Sequence, residues 1–136
     1  MPSAVDTSVL LAIAKGEPDA AGWLDLLISL QTEGDLVICD VVAAEYSAAV
    51  LSPIKFRETL NRLGILFSAT GLEAAQLAGR IFREYRRNGG PREHLLPDFL
   101  IGAHAQTQAD GIAAIDRGYL RQYFPKLKIL RPSQRA

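Results

Sequence analysis

Four acidic residues are the best candidates for chemistry in this sequence. Two of them, Asp6 and Asp116, follow short apolar runs that predict β-strands, and Asp98 opens an apolar helical segment directly after Pro97. Ligands of an open parallel sheet bind outside the carboxyl ends of its strands, so we expect these three carboxylates to lie at one sheet edge. Helix capping, or a favourable interaction with a helix dipole, is an equally good explanation for any one of them alone.

Glu45 is the acid that helix capping does not explain. It lies five residues after Asp40, on a predicted helical face that otherwise carries small apolar residues such as Ala44 and Ala48. A carboxylate buried on such a face without a partner would cost on the order of several kcal/mol or would become protonated. We therefore expect a cation beside Glu45. The alternative is that Glu45 lies at the border of the apolar face and pairs with an arginine.

Four carboxylates at one sheet edge predict a divalent cation, because they would repel one another without a neutralising ion. The sequence has one cysteine and two histidines, so soft ligands are scarce. An all-oxygen site suits Mg²⁺ or Mn²⁺ rather than zinc. Such ions bind phosphate oxygens and lower the pKa of a bound water, so the pattern indicates hydrolysis of phosphodiester bonds.

The elements that would position these acids predict an α/β fold. Short apolar runs alternate with amphipathic helical segments, as in parallel strands joined by helical crossovers. We predict strands at 4–5, 36–39, 65–67, 111–115 and 127–130, and helices at 8–15, 19–30, 41–51, 53–63, 72–87, 99–107 and 119–123. Asp40 is expected to cap the third helix, and Ser52 the fourth.

The bulk properties indicate one globular domain over residues 1–136, since the chain has 49% hydrophobic and 22% charged residues and no linker or repeat. Fifteen basic residues balance fifteen acidic ones, so contact with a nucleic acid would need a local basic patch. Cys39 is expected to be a buried thiol. The N-terminus has no basic segment before Asp6, and no apolar run could span a membrane, so we expect a cytoplasmic protein.

Four segments resemble, in order and spacing, the acidic motifs of PIN-domain nucleases. They are VDTSVL at 5–10, VAAEY at 42–46, LPDFLIGAHA at 96–105 and IDRGYL at 115–120. The chain length and the ending, with YFP at 123–125 and LKIL at 127–130, are similar to the VapC toxins of bacterial toxin-antitoxin pairs. The resemblance covers essentially the whole chain.

This resemblance implies a three-layer α/β/α domain with a short central parallel sheet. It also implies cleavage of RNA with Mg²⁺ or Mn²⁺, leaving a 3′-hydroxyl and a 5′-phosphate, by a homodimer that a cognate antitoxin inhibits. By position, Asp6 and Asp98 would be the principal metal ligands, and Glu45 and Asp116 would complete the catalytic site directly or through water. Many relatives have Thr or Ser two residues before the last acid, whereas this chain has Ala114, which puts a second metal in doubt.

Two other functions remain open. A catalytically silent RNA- or protein-binding relative is one, given Ala114. A phosphoacceptor signalling domain is the other, but it would need adjacent acids after the first strand and a late lysine, and the segment from Asp6 to Ser8 lacks the acidic pair.

Arginines on the longest predicted helix are the candidates for contacts with RNA phosphates. Arg80, Arg83 and Arg87 recur along one stripe, and Arg92 follows a glycine-rich break. A solvated helix face with Glu84 as ion-pair partner explains the stripe equally well. His94, in the loop before Asp98, is expected to be a surface histidine, with contact to the substrate as the alternative. His104 is expected to lie away from the acids.

Apolar residues on two predicted helices suggest a partner surface. They are Trp23, Leu24, Leu27, Ile54, Phe56 and Leu60. In the family that the chain resembles, such helices form a groove for the antitoxin. Packing in the core would explain the same residues.

Overall fold

The computed structural model describes residues 2–91, 94–116 and 118–132. In chain order the elements are β1 (Ser3–Val5), α1 (Thr7–Ala14), α2 (Ala20–Gln31), β2 (Leu36–Ile38), α3 (Asp40–Val50), α4 (Pro53–Leu63), β3 (Ile65–Phe67), α5 (Leu72–Arg87), α6 (Leu96–Gln108), β4 (Gly111–Ala113), α7 (Tyr119–Tyr123) and β5 (Lys128–Leu130). None of these helices is long and apolar enough to cross a membrane.

All five strands are parallel, in the order β3-β2-β1-β4-β5, and Val5 of β1 lies opposite Ala113 of β4. The strand order reverses at β1, because β2 and β3 follow on one side and β4 and β5 on the other. The crevice between the carboxyl ends of β1 and β4 is therefore the place where such sheets bind ligands. The helices complete the expected three-layer α/β/α arrangement, and Cys39 is buried in the core as expected.

Local signals explain most of the element boundaries. Ser52 caps α4 by accepting a hydrogen bond from the Lys55 N–H, Pro53 occupies the first turn, and Gly64 ends the helix in the left-handed conformation with φ of 66°. Two predicted boundaries are wrong by more than one residue. Strand β4 ends at Ala113 rather than residue 115, and α6 begins at Leu96, so Asp98 lies within its first turn.

The predicted cap of α3 is also wrong, because Cys39 occupies the N-cap position and the Asp40 side chain points elsewhere. The carboxylate of Asp40 accepts hydrogen bonds from the N–H and the hydroxyl of Thr70, at 2.9 and 2.5 Å. Two side chains of α6 hold the same connection between β3 and α5. Gln108 bonds the backbone of Ala69 and Gly71, and His104, which is buried, lies 2.9 Å from the Ser68 hydroxyl.

The buried His104 predicts a pH-dependent stability. Burial lowers the pKa of His104 below 6.5, and the nearby Asp40 charge only partly opposes this. Below about pH 6.5 the unfolded chain therefore binds a proton that the folded chain does not, so stability falls as the pH decreases. We expect the free energy of unfolding, measured with urea, to fall from pH 7.5 to 5.5 by less in His104→Gln than in the wild type. Parallel pH profiles would contradict this account.

Helix α6 packs closely against the end of α7 at Gly102. A Cβ atom at this position would lie 2.5 to 2.9 Å from three ring carbons of Phe124, a fully buried side chain. Such overlap cannot be relieved without moving α6 or the ring.

Gly102→Ala should therefore destabilise the protein by about 1 to 3 kcal/mol, because the core is overpacked. Gly79→Ala on α5 is the matched control, since nothing lies within 4 Å of its Cβ position. The control should stabilise the protein slightly, by roughly 0.5 to 1 kcal/mol, through helix propensity. Chemical denaturation measures both, and equal effects at the two positions would refute the packing argument.

Candidate active site

Asp6 follows the central strand and is the most constrained of the four acids. Its N–H donates to the Ala113 carbonyl at 2.9 Å, which places it at the crevice between β1 and β4. It is also the N-cap of α1, and its Oδ2 accepts hydrogen bonds from the N–H and the hydroxyl of Ser8, at 3.2 and 2.5 Å. Burial raises the pKa of Asp6 against the effect of these bonds, and the charge of Asp98 raises it further. Asp6 therefore does cap α1, but these hydrogen bonds do not fully offset the cost of removing its charge from water.

Ser8 links the two sides of the crevice. Its hydroxyl donates to Asp6 and accepts a hydrogen bond from the Ile115 N–H, at 3.1 Å. Ala114, where many relatives carry a hydroxyl, is buried. The hydroxyl beside the β4 end therefore comes from α1 in this chain. Our sequence analysis missed Ser8, although a serine two residues after an N-cap aspartate was a usable signal.

Glu45 differs from our expectation. It is exposed on α3, as are Ala44 and Ala48, because the buried face of this helix is formed by Val42 and Tyr46. The argument that burial demands a cation at Glu45 is therefore wrong, and within the described ranges Glu45 has no arginine partner either. Its Oε1 accepts a hydrogen bond from the Thr7 hydroxyl at 2.6 Å. The first turn of α1 thus holds two of the acids, Asp6 and Glu45.

Asp98 lies in the first turn of α6, where its Oδ2 accepts a hydrogen bond from the Leu95 N–H at 2.9 Å. The Nδ1 of His94 is 3.8 Å from the same oxygen. His94 is half-buried, and its ring stacks on that of Tyr119 with the centroids 4.4 Å apart. His94, which we expected to be a surface histidine, is therefore only partly exposed and lies against Asp98 and Tyr119.

Asp116 is held almost completely by α7. Its Oδ1 accepts hydrogen bonds from the N–H groups of Gly118 and Leu120, and its Oδ2 from the N–H and Nε of Arg121. Only 5% of its side-chain surface is exposed. A structural role thus explains much about Asp116. It accepts hydrogen bonds from N–H groups in the first turn of α7, and Arg121 compensates its charge.

Tyr119 shows that the four acids share one region. Burial raises the pKa of its phenol well above the usual value, and the charges of four carboxylates raise it further, in the order Asp6, Asp98, Asp116 and Glu45. A single side chain is therefore within the field of all four acids. Tyr119 was missed in our sequence analysis, because its position three residues after Asp116 looked like ordinary helix packing.

The carboxylates suit a Mg²⁺ or Mn²⁺ ion in type and in available oxygens. In Asp6 and Asp98 the side-chain hydrogen bonds fall on Oδ2, which leaves Oδ1 of each. Across the described residues no three acidic, histidine or cysteine side chains form a preformed metal cluster. Mg²⁺ usually takes one or two protein carboxylates and completes its shell with water and substrate phosphate, so Asp6 and Asp98 fit such an ion.

The α5 arginines are exposed, and their distance from the acids varies. Helix α5 runs antiparallel to α6, since Gly71 bonds Gln108 at one end and Tyr85 packs on Phe99 at the other. Arg80 lines a cleft with residues near the end of α6, about 12 Å along that helix from Asp98. Arg83 and Arg87 lie closer to the acid end, and Arg92 lies outside the described residues. In the described ranges no ion pair joins Glu84 to an α5 arginine.

The predicted apolar groove is only partly right. Trp23 and Leu27 belong to the buried core, whereas Ile54 is 71% exposed and Phe56 packs against Tyr46. A cleft of about 540 Å³ lies instead between helices α1, α2, α3 and α4. Its apolar lining includes Leu11, Leu24, Ala49, Val50 and Leu63, and its cationic lining is Lys15, Lys55 and Arg62.

Comparison with known proteins agrees with this geometry. No curated protein sequence matches the chain. Among solved structures it is similar to VapBC2 from Rickettsia felis bound to a promoter DNA fragment, with a TM-score of 0.73, 19% identity, and coverage of 98% of this chain and 100% of that one. It is also similar to FitAcB from Neisseria gonorrhoeae, with a TM-score of 0.68, 21% identity, and coverage of 97% and 98%.

A third similar structure is VapBC-1 from nontypeable Haemophilus influenzae, with a TM-score of 0.67, 14% identity, and coverage of 96% of this chain and 98% of that one. At these identities the likeness concerns the fold. The sequence itself matches the family model described as the PIN domain over residues 4–124, which is most of its length. The chain therefore belongs to the PIN domain family.

Proposed function

We propose that this protein is a Mg²⁺-dependent endoribonuclease that acts as the toxin of a toxin-antitoxin pair. Membership of the PIN domain family supports a nuclease in general terms. The observation that carries the finer proposal is that four carboxylates lie near enough to Tyr119 for their charges to raise its pKa. They lie beside the crevice where the strand order reverses. A neutral chain that keeps four acids together at such a place has a use for a cation and for the phosphate that the cation binds.

In this proposal Asp6 and Asp98 hold the ion, and Mn²⁺ can replace Mg²⁺. The bound ion would activate a water and neutralise charge on the phosphate. Ser8 fixes the Asp6 carboxylate, and Thr7 orients Glu45 towards the same region. Asp116 completes the site through water, because α7 and Arg121 already occupy its oxygens.

Tyr119 contributes an uncharged hydroxyl to this site. Because its pKa is raised, the phenol stays protonated at neutral pH and cannot serve as the base. It can donate a hydrogen bond to a phosphate oxygen in a region that otherwise contains negative charge. The ring of His94, stacked on Tyr119, excludes water from one side of the phenol.

The site predicts RNA cleavage that needs a divalent ion. Asp6→Asn and Asp98→Asn should each lower the rate by about two orders of magnitude or more, because each removes a ligand. Asp25→Asn, a change at an exposed acid of α2, is the matched control and should cleave like the wild type. Product gels on labelled single-stranded RNA, with Mg²⁺ or with EDTA, measure this.

The same variants separate loss of chemistry from loss of fold. Asp6→Asn removes a charge that burial disfavours, so in EDTA its melting temperature should be no lower than that of the wild type. Cleavage that survives both substitutions would end the nuclease assignment at these residues. A folded wild type that neither cleaves RNA nor binds Mg²⁺ in calorimetry would instead identify a silent, binding-only relative.

The cleft between α1, α2, α3 and α4 is the surface we assign to an antitoxin. Similar solved structures, described as VapBC2, VapBC-1 and FitAcB, support an antitoxin as partner. The cleft is apolar with a cationic rim, so it suits an amphipathic, acidic segment of the antitoxin. A homodimer is part of the same proposal.

A charge placed in this cleft should block the partner. Ala49→Arg lies in the cleft at an exposed helix position, and Ala75→Arg on α5 is an equally exposed control. We expect Ala49→Arg to weaken binding of the product of a short flanking reading frame roughly tenfold or more, and Ala75→Arg to leave it unchanged. Calorimetry measures the affinity, and gel filtration reports the homodimer. If no flanking product binds, or both variants bind normally, this surface is wrongly assigned.

A further inference from the structure

A small cavity beside Asp116 contains two arginines. We call it the arginine cavity. It has a volume of about 160 Å³ and lies between the end of β4, α7 and the end of β5. Its apolar wall is formed by Trp23, Ala114, Ile115 and Ile129, and its polar side by Asp116, Arg121 and Arg131. Neither arginine was predicted from the sequence to contact RNA, since each looks like a solvated surface charge.

Arg121 is oriented by Asp116. Its Nε donates to Asp116 Oδ2 at 3.1 Å, while 64% of the Arg121 side chain stays exposed. The contact uses one of the five guanidinium donors, and no other hydrogen bond from this guanidinium is formed within the described residues. The terminal nitrogens are thus held in a fixed direction and remain able to bind a planar or tetrahedral anion.

Arg131 adds a second cation without a partner in the described part of the chain. It is exposed and directly follows β5. Asp116 is already compensated by Arg121 and by three backbone N–H groups. The lining of the cavity therefore carries two guanidinium groups against the one carboxylate of Asp116, while Asp19 lies behind its wall and accepts a hydrogen bond from Trp23.

The arginine cavity adjoins the acids along the surface. Ile115 lines it and also lines a neighbouring cleft together with Ser8, whose hydroxyl bonds Asp6. An extended strand held at Asp6 can therefore continue past Ile115 towards Arg121 and Arg131. Arg80, in contrast, lines a cleft at the far end of α6.

We propose that the arginine cavity binds a backbone phosphate of single-stranded RNA, next to the phosphodiester held at the acids. This inference rests on the proposed ribonuclease function. It adds the place where cationic side chains bind the substrate strand. A polyanion that approaches four carboxylates needs cations nearby, and phosphate contacts of this kind fix position rather than sequence. Arg121 serves both Asp116 and the RNA, whereas Arg131 serves the RNA alone.

Arg131→Gln is the decisive variant because Arg131 forms no ion pair with any acid in the described part of the chain. The Asp98→Asn chain leaves RNA uncut, so binding of a short fluorescein-labelled single-stranded RNA can be followed by anisotropy between about 50 and 200 mM KCl. Adding Arg131→Gln should weaken binding at least about threefold and make the log–log salt slope shallower by about 0.7, the value for one lost phosphate contact on a single strand. Arg57→Gln on α4, an exposed arginine at the other sheet edge, should change neither.

Other results would overturn the inference. It fails if Asp98→Asn does not bind the RNA, if Arg131→Gln leaves affinity and slope unchanged, or if Arg57→Gln has the same effect. Failure of the ribonuclease proposal would give a different result. The wild type would then leave RNA uncut in the presence of Mg²⁺, whatever the binding measurements show. Arg121→Gln should lower affinity as well, and its melting temperature separates the loss of a phosphate contact from movement of Asp116 and α7.

Discussion

The partly buried carboxylate of Asp6 is the constraint on which the rest of the sheet edge depends. It follows the central strand, where neighbours on both sides limit access of water, and its pKa is raised by that burial. The first turn of α1 partly offsets the cost with the hydroxyl and the N–H of Ser8. Since the same hydroxyl accepts from Ile115, the position of the β4 end is tied to the charge of Asp6.

Ser8 supplies a hydroxyl at the end of β4, next to Ala114. A hydroxyl two residues before Asp116 would approach the crevice from the β4 side, whereas Ser8 reaches the same backbone from the β1 side. A helix N-terminus also offers free N–H groups to an anion. The N–H and the hydroxyl of Ser8, in the first turn of α1, therefore both stabilise the Asp6 carboxylate.

Most elements could be predicted because their signals are local. Ser52, Pro53 and Gly64 define α4 through capping and backbone conformation, whatever surrounds the helix. The exposure of Glu45 could not be predicted in this way, because packing of Tyr46 against Phe56 decides which face of α3 turns inward. A stripe of alanines is compatible with either face, since alanine fits both solvent and core.

The sequence predicted that the four acids lie near one another, but it did not predict which side chains contact them. His94 and Tyr119 stack although 25 residues separate them in number, and their contact depends on how α6 and α7 pack through Phe99. The Asp40 side chain shows the same limit. Its position before a helix indicated a cap, yet a loop 30 residues later offered two donors instead of one.

The charge pattern follows from the same packing. With fifteen basic and fifteen acidic residues, attraction of a polyanion cannot come from net charge and must come from where the charges lie. Asp116 is the acid at which negative and positive charge meet, because its carboxylate accepts hydrogen bonds both from the start of α7 and from Arg121. Its carboxylate is paired with Arg121, whereas Asp6, Asp98 and Glu45 have no arginine partner in the described part of the chain, so positive charge begins one side chain away from these acids.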